Sequence, residues 1–181
     1  MPEPLFGIVE SLRCALVDVS ARASSSFSGL GIVIYDADSF PTQCYCDLRD
    51  TTSLRHFGAH FGSIGNGLTD LLLTVSCESH PCHDGFVFMN VLGNVTHIAQ
   101  YFVPPVVPHL APHHLHGTRF YSALCGSLLP GVLAVGVVCR NRDCFLMKSG
   151  HVAFQCGVPA HLSEDRATPP SFYTPDTSGR E

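Results

Sequence analysis

With 181 residues, 45% of them hydrophobic and 14% charged, the chain is long enough for one domain with a real core and too apolar to be disordered. A formal net charge of −5 without any Lys/Arg cluster argues against nucleic acid as a partner. No apolar stretch has the length of a membrane span, and the N-terminus, with Glu3 and no basic segment, does not read as a secretory signal; the expectation is no membrane and a cytoplasmic location. In chain order, Leu5, Ile8, Val9, Leu12, Leu16 and Val19 fall at helical spacing, so Pro4 to Arg22 forms an amphipathic helix lying on a sheet. "ASSSFSG" is a loop. Gly29 and Gly31 open "LGIVIYD", a short run rich in β-branched residues that reads as a buried strand. "PTQCYCDL" is a second, weaker strand. The glycine-rich "RDTTSLRHFGAHFGSIGNG" is a loop with one turn of helix at most.

"LTDLLLTVSCES" is a helix with Thr69 and Asp70 in its first turn. Asp84 to Met89 is a strand, "NVLGN" a hairpin turn and "VTHIAQYF" its partner strand. The prolines of "VPPVVPHLAPHHLH" withhold donors and fix φ, which makes this segment a surface loop. "GTRFYSALCGSLL" is helical, and "VLAVGVVC", "DCFLMKSG" and "HVAFQC" are three closing strands. Residues 158–181 are polar and Pro-rich and read as a disordered tail, leaving 1–157 as one domain. The order of elements predicts an α/β fold around a single mixed sheet flanked by helices. Cys14, Cys125 and Cys139 lie inside apolar patterns. There a thiol behaves as a small buried hydrophobe, and with no export signal the nine cysteines, an odd number, read as reduced rather than as a disulfide framework.

Two short stretches carry possible chemistry. In "HPCHDGFVFMN", Asp84 can hold a divalent cation, and Gly85, without a Cβ, lets a phosphate or nucleotide approach the backbone. The same pair also fits an ordinary turn before a strand. In "GTRF", Gly117, Thr118 and Arg119 open a helix, whose free N–H groups and dipole favour an anion. The threonine hydroxyl adds a donor, and arginine offers a fork that matches phosphate oxygens. A capping threonine beside a surface arginine is the plainer alternative.

Together these stretches resemble the diadenylate cyclase (DAC) domain family, whose members condense two ATP molecules into cyclic di-AMP. That family carries a Pro-x-His-Asp-Gly-Ala run entering a strand, matched here by Pro81, His83, Asp84 and Gly85, with Phe86 in place of the alanine. Its Gly-Thr-Arg-His-Arg helix start is matched by Gly117, Thr118 and Arg119, followed by Phe120 and Tyr121. Ala123, Ser127, "VLAVGVVC" and "MKSGHVAF" extend the likeness, which runs from Leu5 to Phe154. The resemblance implies Asp84 and Arg119 as catalytic residues and Asp84 as ligand to Mg²⁺ or Mn²⁺. It further implies a nucleotide site of Gly85, Phe86, Gly117, Thr118, Arg119 and Ser127. ATP would be the substrate, and two domains would meet face to face, as a homo-oligomer or with a partner cyclase domain.

The departures define the alternatives. Phe120 and Tyr121 replace the family's His and second Arg, and Cys139, Arg140 and Asn141 stand where the family has Ser-Glu-Glu. A domain so altered could be a catalytically inactive nucleotide-binding sensor or regulatory domain of the same fold, unless His116 stands in for the lost His. A structural zinc site is the other alternative. Cys77, His80, Cys82 and His83 are four soft ligands within seven residues, which Cys44, Cys46, His113, His114 or His116 could supplement, although they match no standard zinc spacing. Asn94 begins a glycosylation sequon, "NVT", with nothing else pointing to secretion.

Overall fold

The computed structural model describes residues 3–41, 44–47, 67–108, 110 and 117–157. The tail expected over 158–181 and the helical turn allowed in the glycine-rich stretch lie outside the described residues. Helix α1 spans Glu3–Arg22, α2 Gly67–Val75 and α3 Thr118–Gly126. The strands are β1 (Leu30–Tyr35), β2 (Tyr45–Asp47), β3 (Phe86–Asn90), β4 (Val95–Phe102), β5 (Val132–Val138), β6 (Cys144–Lys148) and β7 (His151–Cys156). Among the described residues no helix is long and apolar enough to cross a membrane.

All seven strands form one sheet in the order β2-β4-β3-β1-β5-β6-β7. Only β1 and β3 run parallel; every other neighbouring pair is antiparallel, so the sheet is mixed as expected. β1 is central and buried along its whole length, which is why its sequence is apolar without alternation. Its side chains still divide by the period of two. Leu30, Ile32 and Ile34 join a core under α1 and α2, whereas Val33 and Tyr35 join a second core under α3. β3 divides in the same way, with Val87 and Met89 on the first face and Phe86 and Phe88 on the second. α1 packs on α2, β5 and β6 through Ile8, Leu12, Ala15, Leu16 and Val19, the stripe expected from its spacing. α3 lies on β1, β4, β5 and β6 and buries Phe120, Ala123 and Leu124.

Three of the boundaries that differ from the sequence expectation do so for a clear local reason. α2 ends at Val75 rather than running through Ser79, because the chain is captured by the segment before β1. There the Ser28 N–H donates to the Ser76 carbonyl at 3.0 Å, the Glu78 N–H donates to that of Ser26 at 2.8 Å, and Phe27 and Cys77 form an isolated bridge. β3 begins at Phe86, not Asp84: residues 80–85 form turns, and pairing with β1 starts at Gly31↔Phe86. α3 stops at Gly126 with Ser127 as its C-cap, and Leu128 and Leu129 are drawn into turns by bonds to the carbonyls of Cys125 and Gly126.

Candidate active site

A cleft of about 460 Å³ opens where the turn before β3, the far end of β4 and the N-terminus of α3 meet. Asp84, Phe86, Gly117, Thr118 and Arg119 all line it. The two stretches that carried possible chemistry are therefore brought together. Nη2 of Arg119 lies 3.5 Å from Oδ1 of Asp84, an ion pair at the long end of hydrogen bonding.

The helix tip leaves backbone donors without intrahelical partners. Gly117 is the N-cap, extended at φ −73° and ψ 178°, and among the described residues no side chain caps the helix. Phe120 and Tyr121 donate back to the Gly117 carbonyl, so the N–H groups of Thr118 and Arg119 precede the first intrahelical bonds. A Cβ built on Gly117 would meet no atom of the described residues within 4 Å, so none of them closes the approach to the tip. Arg119 is the less exposed partner of the ion pair, 21% against 67% for the Asp84 side chain. Burial pushes the Arg119 pKa down, and Asp84 and Cys139 oppose that shift. Cys139 stands beside this charge. Burial, with Asp143 adding, holds its thiol up at about 11, and Arg119 alone works in the other direction.

The floor of the cleft is aromatic. Phe86 is 6% exposed and packs edge to face on Phe102, with ring centroids 5.3 Å apart. Room for these rings comes from glycines: a Cβ on Gly31 would stand 2.4 Å from the Phe86 ring, and one on Gly126 would stand 2.1 Å from that of Phe102. Phe86 thus lies down into the sheet instead of projecting into the space that its size would otherwise fill. Ser28, Gln100, Tyr101, Phe102 and Ser122 also line the cleft, and sequence reasoning did not single them out. Ser28 carries the only trace in sequence, as the polar residue directly before a glycine and a buried strand.

Other expected residues lie elsewhere. Gly85 is buried behind Asp84, is not among the cleft's lining residues and has no positive φ, so its conformation alone does not demand glycine. Ser127 sits at the opposite end of α3 from the cleft; its hydroxyl donates to the Leu124 carbonyl at 2.8 Å and accepts the Gly150 N–H at 2.9 Å, tying α3 to the β6–β7 turn. Phe120 is 3% exposed and stacks edge to face on Phe145 at 4.9 Å, because it heads the buried stripe of α3. The Tyr121 hydroxyl donates to the Val107 carbonyl at 3.2 Å and so fastens the Pro-rich segment to α3; none of the described residues 103–108 lines the cleft. Arg140 is paired with Glu78 at 2.8 Å.

The four soft ligands are not gathered as a zinc site would require. Cys82 is buried in the core under α1 and α2, and its N–H donates to Nδ1 of His80 at 3.1 Å. The Cys77 thiol shares hydrogen bonds with the Ser26 and Ser79 hydroxyls at 3.1 and 3.2 Å, which lower its pKa. Among the described residues no group of three or more His, Cys, Asp or Glu side chains stands where it could hold one metal ion. His113, His114, His116 and the side chain of Cys46 lie outside the described residues, and with them the stand-in role of His116.

No family model and no curated protein matches the chain. Solved structures do. A hypothetical membrane spanning protein from Bacillus cereus, from structural genomics, is similar with a TM-score of 0.58 at 16% identity, over 82% of this chain and 63% of that one. This chain therefore spans less than two thirds of the Bacillus protein's length. DacA from Staphylococcus aureus, solved as a double cysteine mutant, is similar with a TM-score of 0.55 at 17% identity, over 81% of this chain and 84% of that one. At such identities the likeness is one of fold. The cleft between Asp84 and Arg119 is thus carried on an α/β fold with a single mixed sheet, a fold that a diadenylate cyclase also adopts.

Proposed function

We propose that the chain binds ATP in this cleft and that two such clefts, face to face, condense two ATP molecules into cyclic di-AMP. The observation that carries the reading is the meeting of Asp84 and Arg119, 3.5 Å apart, at the tip of α3. The N–H groups of the tip, the Thr118 hydroxyl and the Arg119 guanidinium supply donors and positive charge for phosphates. Gly117 leaves the tip open, Gly85 keeps the backbone behind Asp84 without a side chain, and Phe86 and Phe102 give an apolar floor against which a nucleoside can lie. A volume of about 460 Å³ is in the range that small-ligand sites occupy.

In the reaction the 3′-hydroxyl oxygen of each ATP bonds to the α-phosphorus of the other and releases its proton to water, while the bond from that phosphorus to the β-phosphate's bridging oxygen breaks and pyrophosphate leaves with the bonding electrons. One cleft positions one ATP, so the second must come from another copy or from a partner cyclase domain. For Mg²⁺ or Mn²⁺ the cleft offers one exposed carboxylate, Asp84. That fits an ion that takes its other ligands from phosphate oxygens and water, and does not make a cage of its own. Such an ion would neutralise charge on the phosphates. Ser127 serves the site only through the helix end it secures. The ATP supply and the reduced thiols expected from the sequence fit a cytoplasmic setting.

A second reading, nucleotide binding without turnover, is favoured by Phe120, which is committed to the core, and by Arg140, which is committed to Glu78. Incubation of the purified chain with ATP and Mg²⁺ or Mn²⁺, beside Asp84→Asn, separates the two. Chromatography should show cyclic di-AMP from the wild type and none from the variant. Calorimetric ATP binding with no product supports the second reading; product from both proteins, or no adenine-nucleotide binding by the wild type, defeats the first.

A further inference from the structure

Arg119 does not hang freely in the cleft. Its guanidinium lies across the backbone where the loop after α1 turns into β1. Nη1 donates to the Ser28 carbonyl at 3.3 Å, and Nη2 faces Asp84 at 3.5 Å. The space it fills exists because residue 29 has no side chain. A Cβ on Gly29 would stand 2.2 Å from Nη1, 3.5 Å from Cζ and 3.2 Å from the Val138 carbonyl oxygen. The backbone there is also left-handed, with φ +100°, which favours glycine. One peptide unit therefore supplies both the slot and the acceptor, since the Ser28 carbonyl belongs to the Ser28–Gly29 bond.

That peptide is itself held in place. The Ser28 hydroxyl is shared between the carbonyls of Ser76 at 2.9 Å and His83 at 2.8 Å, and the Ser28 N–H donates to Ser76 at 3.0 Å. His83 immediately precedes Asp84. The same serine thus anchors the peptide that receives Arg119 and the turn that carries its acidic partner.

We propose that Gly29 is a positioning residue for Arg119: its missing side chain forms the slot that aims the guanidinium into the cleft beside Asp84. The inference rests on the reading of the cleft as a nucleotide site and adds that its arginine is aimed by a glycine from another element. With an alanine at this position the guanidinium is expelled toward solvent, loses the Ser28 carbonyl and no longer stands where a phosphate would meet it.

Two readouts test this on Gly29→Ala. Modification of Arg119 by phenylglyoxal, followed by mass spectrometry, needs no nucleotide; its rate should rise toward that of an exposed arginine such as Arg140, 74% exposed. ATP binding, measured by calorimetry with Mg²⁺, should weaken about tenfold, the scale of one lost charged hydrogen bond. Placed in an Arg119→Ala background, Gly29→Ala should leave ATP affinity unchanged, because the residue through which it acts is gone. Unchanged labelling of Arg119, or an equal loss of affinity in both backgrounds, overturns the proposal. Should Gly29→Ala fail to fold, the double variant decides: its folding supports the slot, and its failure alongside the single variant shows that only the backbone conformation was at stake. A wild type that binds no ATP defeats the nucleotide reading alone, since labelling still judges the position of Arg119.

Discussion

On one face of the sheet, α1 and α2 set Leu12, Leu16, Val19 and Leu72 against Ile32, Ile34 and Val87; on the other, among the described residues, α3 sets Phe120, Ala123 and Leu124 against Phe88, Val135 and Phe145. The first face is covered by a helix of 20 residues and another of 9. Among the described residues the second has one helix of 9, joined by aromatic rings, with Phe86, Phe88 and Phe102 in edge-to-face contact. The cleft opens on this second face, where α3 begins. A packed core stabilises; a helix terminus beside a concavity turns backbone donors toward a space that a small ligand could enter.

If this division of labour is right, the largest effect on stability comes from the closed face. Leu72 is fully buried, and Leu72→Ala should cost about 2–5 kcal/mol, the usual range for a leucine truncated in a core. Urea unfolding measures it, while ATP affinity below the transition should not change. A loss of affinity without a loss of stability would mean that the faces are not separate.

The open face should behave in the opposite way. Arg119→Ala removes a charged donor to phosphate, a change of about 1.5–3 kcal/mol in ATP binding, or roughly ten- to a hundredfold. Its effect on unfolding should be slight, because the ion pair it breaks is long and the Asp84 side chain is 67% exposed. ATP titrations of both proteins, with unfolding curves run alongside, give the comparison; unchanged affinity would remove Arg119 from the site.

Between these extremes lies the floor that both roles share. Gly31→Ala places a Cβ 2.4 Å from the Phe86 ring, and overpacking of this kind costs about 1–3 kcal/mol. In a Phe86→Ala background most of that added cost should disappear, since the three nearest atoms all belong to this ring. A cost of Gly31→Ala that is the same with and without the ring would show that the glycine is needed for some other reason.

The elements were legible wherever one physical signal acted alone. The spacing of Ile8, Leu12, Leu16 and Val19 marks α1, and "VTHIAQYF" and "HVAFQC" coincide with β4 and β7. Boundaries slipped where a contact distant in sequence took over, as when the segment around Ser28 drew the chain out of α2 at Ser76. Asp84, Arg119 and the helix tip could be named because their chemistry is local to short motifs. Ser28 and Tyr101 could not, since only the strand order brings β4 and the loop before β1 to the same cleft. Phe86 stands where the resemblance calls for a much smaller alanine and could crowd the site. The ring instead lies against Gly31, a partner set by the parallel register of β1 and β3, which no single-sequence pattern records.

The thiols give a finer comparison. Cys144, buried under α1, and Cys139, beside Arg119, are both held at about 11 chiefly by burial, against an ordinary 9.0. The unfolded chain ionises first, so the stability these neutral thiols contribute is fully present below pH 9.0 and is lost as pH rises toward about 11. Melting temperature should fall over that window. Arg119→Ala should raise the Cys139 pKa further, because Arg119 lowers it, and leave Cys144 where it is; alkylation rates followed against pH distinguish the two residues.

The smallest effect should come from Arg140, which stands where the resemblance calls for a carboxylate. Its partner Glu78 is 2.8 Å away, but the side chains are 74% and 46% exposed, and such pairs contribute about 0.2–1 kcal/mol and weaken with salt. Arg140→Ala should therefore shift unfolding by less than about 1 kcal/mol and leave ATP affinity within about twofold of the wild type. This near-silence is informative, because Arg140 lies in the turn after β5, next to Cys139, which itself stands beside Arg119. A ligand confined to the cleft between Asp84 and the tip of α3 does not sense a cation turned away toward Glu78. A ligand that extends across the end of β5 does, and a clear change in affinity would move the boundary of the open face to include this turn.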